Sequence, residues 1–562
     1  MELPAALMAM AAAAGKAGTV AVPAAVASTL PATLAGSGNF KFNLVWDSTV
    51  KSSAFQTAIQ NAAATIANVL SDQLTINLGI TNSGTGGGAG AGPSSGLYET
   101  YSWVYSHLKN SSDPSFNALA NTTSVQGQTN VAVWNAQLKL WGITPSGALD
   151  GAATFATDIS SGSLFGVALH ELTHALGRVP YGSAPDVFDL FRFSAPGTMV
   201  FSSAIPAPAA YFSIDGGVTN LAYWGISSDP SDFYNGTPTG KLHSVYNTTN
   251  DSFSEFYGST TYQYLTAVDL HIMDALGFHL KPLSTVSSSA TFTTTPVVVL
   301  DTGANILANL DKLNTNINSI YSISQSDTAT INLTAAQSVN DSSVLQLLNL
   351  YEKLNDTVTG TTGNDTIYGI GNAVINGNGG IDTISLMNHT ASTIDIIYDH
   401  AAVSASNLDK VTGFLASDYI SLANSASSLN SLTNLATGVR YLAGTAVATN
   451  ILQVTAGKAF TVSTSGVDML DIIGTTFSNV SALISNLASS ATGSTYATFG
   501  SLISAGSHFL VEYSATDGTH IAQITQGASS NHLASNSTGI DLIDLVGTST
   551  HVTASHISIL AA

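Results

Sequence analysis

Residues 40–80, "FKFNLVWDSTVKSSAFQTAIQNAAATIANVLSDQLTINLGI", carry the hydrophobic pattern on which the fold of the N-terminal half turns. Phe40, Phe42, Leu44 and Trp46 alternate along one side of a half-buried strand. Phe55, Ile59, Ala62, Ile66, Val69 and Leu70 then recur at three- and four-residue spacing, which predicts a helix. Leu74, Ile76, Leu78 and Ile80 alternate again as a second strand. Two strands joined through a helix make a β-α-β unit, because parallel strands need a long crossover. The expectation is an α/β domain with a mixed sheet.

A chain of 562 residues is too long for a single core, so about two to four domains are expected. Charged residues are only 9% of the chain, and 49 glycines accompany 44% apolar residues, a balance that favours strands and turns over helical bundles. The net charge of −21 repels nucleic acid and anionic membranes. With no cysteine, disulfides, zinc-thiolate sites and thiol nucleophiles are excluded together. No apolar run reaches the roughly 20 residues that span a bilayer. The Ala-rich N-terminus meets its first lysine, Lys16, only after an apolar run, the wrong order for a secretory signal.

Composition divides the chain into a leader or pro-segment (1–37), an α/β domain (38–281) and a Ser/Thr-rich linker (282–300). A small α+β module (301–354), a repeat region (355–400) and a β-rich C-terminal region (401–562) follow. The glycine-rich "GTGGGAGAGPSSG", residues 84–96, lacks the Gly-Lys-Ser/Thr ending of a phosphate loop and reads as a flexible loop.

Within the α/β domain, "LFGVALHELTHALGRVPYG", residues 164–182, contains H-E-x-x-H. Residues four apart share a helix face, so His170 and His174 can address one ion, with Glu171 beside them as the candidate general base. Imidazole suits zinc, which in catalytic sites takes three protein ligands and a water. Gly177 can end the helix in a left-handed turn that returns the chain toward the ion. "HELTHALG" resembles the metzincin zinc proteases, and the serralysin-like secreted bacterial enzymes most of all. That resemblance implies zinc held by His170 and His174, Glu171 acting as base, and protein or peptide substrates.

The pattern departs from the family at Pro180, where a third histidine belongs and where proline can coordinate nothing. Asp189 is the favoured replacement, with Asp186 and His243 as alternatives, and Asp189 has a competing reading as a partner of Arg192. Met199 is a candidate for the methionine beneath the metal, Tyr181 and Tyr211 for oxyanion stabilisation, and His271 reads as a packed helix residue.

"NDTVTGTTGNDTIYGIGNAVINGNGGIDTISL", residues 355–386, places Asp356, Asp365 and Asp382 at intervals of nine and seventeen. Gly360, Gly363 and Asp365, then Gly377, Gly380 and Asp382, match the nonapeptide calcium-binding repeat of RTX proteins, with Ile367 and Ile384 pointing inward. The resemblance implies a parallel β-roll stabilised by Ca2+. "GVDMLDIIG", "TGIDLIDLVG" and the closing "HISILAA" resemble the C-terminal region of type I secretion substrates, which implies export from a Gram-negative bacterium by that apparatus. Two functions follow: a secreted zinc endopeptidase with a calcium-stabilised roll, or a calcium-dependent extracellular or surface-layer protein that self-assembles and carries an inactive protease-like domain.

Overall fold

The computed structural model describes residues 32–108, 119–145, 147–182, 184–234, 244–255, 262–351, 354–388, 390, 395–399, 408–424, 451–462, 469–548, 551–552 and 557–561. It is a mixed α/β protein with many strands and few helices, divided into two compact units. Unit 1 comprises Met1–Asp301, Asp311–Ser326 and Gln346–Tyr351; unit 2 comprises Thr302–Leu310, Asp327–Leu345 and Glu352–Ala562.

Unit 1 is built around a five-stranded sheet in the order Ala32–Ala35, Lys41–Trp46, Thr75–Asn82, Gly151–Phe155, Ala89–Pro93. Lys41–Trp46 and Thr75–Asn82 pair in parallel, Phe42 opposite Ile76 and Leu44 opposite Leu78, and the helix Ser53–Val69 joins them. Ser52 caps that helix, its Oγ accepting from the Phe55 amide, while Phe55, Ile59, Ala62 and Ile66 are buried. The two end strands run antiparallel to their neighbours, which makes the sheet mixed.

Two expectations change here. Ala32–Ala35 is a sheet strand, so order begins inside the segment read as a leader; residues 1–31 lie outside the described part. Within the glycine-rich stretch, Ala89–Pro93 forms the sheet edge, and the Gly86 and Gly87 amides donate to the Asp158 carboxylate, which pins the preceding turn.

The helix Leu164–His174 packs on both Ser53–Val69 and the Ala89–Pro93 edge. Leu164, Val167, Leu169 and Leu172 are buried, and each such side chain contributes about 1.5–3 kcal/mol relative to exposure. Close approach to the sheet has a steric condition: a Cβ on Gly151 would stand 2.7 Å from the Ala175 Cβ. The segment read as a linker is also ordered, since Thr285–Val286 and Val297–Asp301 form parallel strands with Ile320–Gln325. The expected α+β module is therefore no separate body; its residues are shared between the two units.

Unit 2 contains two ladders between which the chain alternates. One is wholly parallel and runs Ile331–Thr334, Asn355–Thr359, Asn372–Asn376, Ile396–Asp399, Tyr419–Asn424, Ile557–Ala561. The other begins with the parallel strands Thr366–Ile370, Thr383–Met387, Asp409–Thr412 and Thr538–Val546. In-register pairing stacks like on like. Val358, Ile375, Ile397, Ile420 and Ile557 form one buried column, and Ile367, Ile384, Val411 and Leu545 the other.

Between Tyr419–Asn424 and Thr538–Val546 the chain makes an excursion. Its strands Gly518–Thr525, His508–Ala515, Met469–Phe477 and Ile451–Thr455 extend the second ladder beyond Thr538–Val546. The helix Val480–Leu487 covers one face, burying Leu483, Ile484 and Leu487 against Leu470, Val511 and Tyr513.

Candidate metal centre

Helical spacing and apolar burial together bring the two histidines side by side. His170 Nδ1 faces the Ser252 carbonyl at 3.1 Å, and His174 Nδ1 faces the Arg178 carbonyl at 2.7 Å. A carbonyl only accepts, so both Nδ1 atoms carry the proton and both Nε2 atoms are left as lone-pair donors. Those two Nε2 atoms point at each other across 2.8 Å. Two facing lone pairs repel unless a cation lies between them.

Local chain geometry fixes this arrangement. Gly177 has φ +111°, and the Gly177 and Arg178 amides bond back to the His174 and Thr173 carbonyls. This reversal ends the helix and turns the Arg178 carbonyl onto His174. Any Cβ at Gly177 would also press on Trp134 and Gln137. The Phe253 ring stacks on the His170 imidazole, centroids 4.1 Å apart and 16° from parallel.

Two aspartates that sequence reasoning missed stand beside the pair. Asp229 Oδ2 is 3.6 Å from His174 Nε2, and Asp232 Oδ1 is 3.7 Å from His170 Nε2. Each is oriented through its other oxygen: the Ser231 amide and hydroxyl donate to Asp229 Oδ1, and the Ser228 hydroxyl donates to Asp232 Oδ2. Asp232 Oδ1 is buried and meets no hydrogen-bonding partner among the described residues. The carboxylates stand one to each histidine; groups of three ligand atoms within 4.8 Å of one another occur elsewhere, in the C-terminal half.

Glu171 lies on the same helix, buried, with Oε2 unpartnered among the described residues. Burial first, then the charges of Asp229 and Asp232, push its carboxyl well above the usual range. Burial holds His170 and His174 below the ordinary histidine value, so a proton is a poor choice of cation between them. Arg178 closes the site from behind. It is fully buried, paired with Asp269 at 2.6 Å, and lies 3.2 Å over the Phe253 ring.

The expected third ligands are placed differently. Asp189 is spent in a fully buried ion pair with Arg192, Oδ1 to Nη1 at 2.8 Å, and Asp186 accepts the Asp189 amide at 2.9 Å. Burial still pushes the Asp189 carboxyl up to about 6, against the pull of Arg192. Neither aspartate comes within 4 Å of an imidazole nitrogen; the carboxylates that do are Asp232, at His170, and Asp229, at His174. His243 lies outside the described residues. Pro180 sits between Val179, packed with Ala132 and Trp134, and Tyr181, in edge contact with Tyr98 and Trp134; the chain there heads into an apolar cluster.

Of the remaining candidates, Tyr211 donates to the Gly217 carbonyl at 2.5 Å, and Met199 is tied through its backbone to the Gln126 side chain. His271 stacks on Tyr321 at 4.1 Å and meets the Tyr246 hydroxyl at 2.9 Å, the packed residue its helix position suggested.

In unit 2 the repeat residues fall into two groups. Gly360, Gly363, Asp365, Gly377, Gly380 and Asp382 form two stacked turns: the Asp365 amide donates to Asp382 Oδ1 at 2.9 Å, and Asp365 Oδ2 accepts from Thr361. The column continues, since the Asp382 amide donates to Asp409 Oδ1 at 2.8 Å. Gly380 has φ +121°, and a Cβ there would stand 2.5 Å from the Gly363 carbonyl. Asp356 does not join them. A seventeen-residue step is one full turn, but a nine-residue step crosses to the other ladder, where Asp356 lies buried in register with Ala373, with Asp395 adding its charge.

Comparison with protein-family models, with curated proteins and with solved structures found no match for this chain.

Proposed function

We propose that the chain is a secreted zinc-dependent endopeptidase whose C-terminal half is a calcium-stabilised parallel β-roll. The observation that carries the catalytic reading is the pair of buried imidazoles, each anchored through Nδ1 on a carbonyl, with their Nε2 lone pairs facing at 2.8 Å beside two oriented carboxylates. This donor set fits zinc: two imidazole nitrogens and a carboxylate oxygen from Asp229 or Asp232. Bound there, zinc would polarise a carbonyl and lower the pKa of a water toward neutrality.

The protein's own groups divide the remaining work. Ser252 and Arg178 hold the imidazoles in the tautomer that presents Nε2. Ser228 and Ser231 aim the aspartates. Glu171 Oε2, buried and unspent, takes and returns the proton during peptide hydrolysis. Phe253 excludes water from one face of His170. The five-stranded mixed sheet with a helix-borne His-Glu-His group supports the metzincin resemblance, and Asp229 or Asp232 would stand in for the ligand that Pro180 cannot supply.

The stacked turns that carry Gly360, Gly363, Asp365, Gly377, Gly380 and Asp382 support the roll reading, with Ca2+ bound to oxygens of those turns. The test of the catalytic reading is casein hydrolysis by zinc-loaded protein, with and without chelator, for wild type and Glu171→Gln. Hydrolysis that chelation abolishes and that Glu171→Gln loses supports it. Folded, zinc-replete protein with no activity, or activity equal in Glu171→Gln, overturns it.

A further inference from the structure

We propose a second, structural zinc site in unit 2, formed by Asp471, Glu512 and His551. Asp471 and Glu512 are directly opposite on the neighbouring parallel strands Met469–Phe477 and His508–Ala515, so both carboxylates leave the same face of the sheet. That face is the one turned away from the helix-covered core, whose residues Leu470 and Val511 point the other way. His551 comes over them from the segment that precedes the last strand, Ile557–Ala561. One ligand atom from each of the three lies within 4.8 Å of the others.

Every one of these side chains is oriented by a separate partner on its far side. Gln453 Nε2 donates to Asp471 Oδ2 at 2.9 Å, the Val552 amide donates to Glu512 Oε1 at 2.7 Å, and Ser514 Oγ meets His551 Nε2 at 2.9 Å. What remains converges: His551 Nδ1 stands 2.5 Å from Asp471 Oδ1 and 3.9 Å from Glu512 Oε2. Partners that fix the outer atoms and leave the inner ones directed at one point are the usual support of metal ligands.

The decisive atom is Glu512 Oε2. Glu512 is fully buried, and this oxygen meets no hydrogen-bonding partner among the described residues although it is aimed into the cluster. Two buried carboxylates beside one imidazole cannot all be met by a single proton. A divalent cation resolves the conflict by replacing protons on all three groups at once.

The ligand chemistry selects the ion. One imidazole nitrogen and two carboxylate oxygens suit zinc, whereas calcium takes six to eight oxygens. The site would tie the sheet of the excursion to the segment that leads into the last strand of the roll.

The experiment counts zinc in dialysed full-length protein after loading with Zn2+ alone, by elemental analysis, with circular dichroism as the check on folding. Glu512→Gln, which keeps the side-chain volume, and His551→Gln should each lower zinc by one per chain relative to wild type, with casein hydrolysis retained. His174→Ala should also lower zinc by one, and His174→Ala combined with Glu512→Gln by two, so the two sites fail separately. With Ca2+ held in excess, a zinc-selective chelator should lower the melting temperature of the His174→Ala protein and leave that of the double variant unchanged. Folded Glu512→Gln protein with wild-type zinc content overturns the proposal, as does a double variant that loses no more zinc than His174→Ala.

Discussion

The His-Glu-His helix of unit 1 and the aspartate column of unit 2 both look like metal motifs, yet they treat their donor atoms in opposite ways. In the helix, the backbone satisfies only the outer nitrogen of each histidine and leaves the two inner lone pairs facing each other. In the column, the inner carboxylate oxygens are already engaged, with the Asp365 and Asp382 amides donating to the next aspartate along. The first arrangement leaves two donor atoms free to meet a cation. The second has a working set of hydrogen bonds to which a cation would be an addition. Spacing says which side chains share a face; whether the fold consumes their lone pairs decides how much a ligand is worth.

The largest expected effect lies on the helix side. Glu171→Gln should reduce casein hydrolysis by about 10²–10⁴-fold while zinc is retained, as for loss of a general base. Equal loss of zinc and activity would recast Glu171 as a structural residue.

Next in size is the test that separates ligand from ion pair. Asp189→Asn leaves the buried Arg192 guanidinium uncompensated and should destabilise unit 1 by about 3–5 kcal/mol in urea denaturation, with zinc content unchanged. Asp232→Asn should do the reverse, costing zinc affinity with little change in the stability of the metal-free protein, since Asp232 Oδ1 has no hydrogen bond to lose. Zinc loss in Asp189→Asn would restore the earlier assignment.

On the column side, Gly380→Ala forces a Cβ toward the Gly363 carbonyl at φ +121° and should cost about 1–3 kcal/mol in the unfolding of unit 2. An unchanged unfolding midpoint would mean that the turns are less closely stacked.

The smallest effect is a pH dependence of the chelated protein. Burial raises Asp409 to about 6 and Asp356 well above the ordinary carboxyl value. A carboxyl raised by folding contributes stability while protonated. That contribution is complete below the unfolded value of about 4 and is lost as pH rises through the folded one. The unit 2 melting temperature, followed by circular dichroism in chelator, should therefore fall between pH 5 and pH 7.5, and calcium should restore it at the higher pH. A rise over that range would contradict the burial of these groups.

Much of this was legible in the sequence, and the reasons are specific. Phe42 and Leu44 alternate, and Phe55, Ile59, Ala62 and Ile66 keep helical spacing, because one face of each element is buried. His170, Glu171 and His174 were legible for the same reason. Asp229 and Asp232 were not, since they reach the helix from a loop more than fifty residues downstream that has no periodicity. Their signal, once known, is local: "SSDPSD", residues 227–232, sets two carboxylates among serines able to orient them.

In the repeat region the nine-residue interval was visible but its meaning was not, because only pairing reveals that nine residues cross from one ladder to the other and seventeen return to the same one. "GVDMLDIIG" and "TGIDLIDLVG" read alike, yet Thr538–Val546 pairs with Asp409–Thr412 of the second ladder while Met469–Phe477 belongs to the excursion. Both strands sit in the same sheet and bury the same kind of face, so their sequences carry the same pattern.

The most direct test of the helix site is the zinc content of folded full-length protein, wild type against His174→Ala, after identical loading and dialysis. A fall of one zinc per chain in His174→Ala is expected if the facing Nε2 atoms hold a metal. Equal zinc in the two proteins would contradict it.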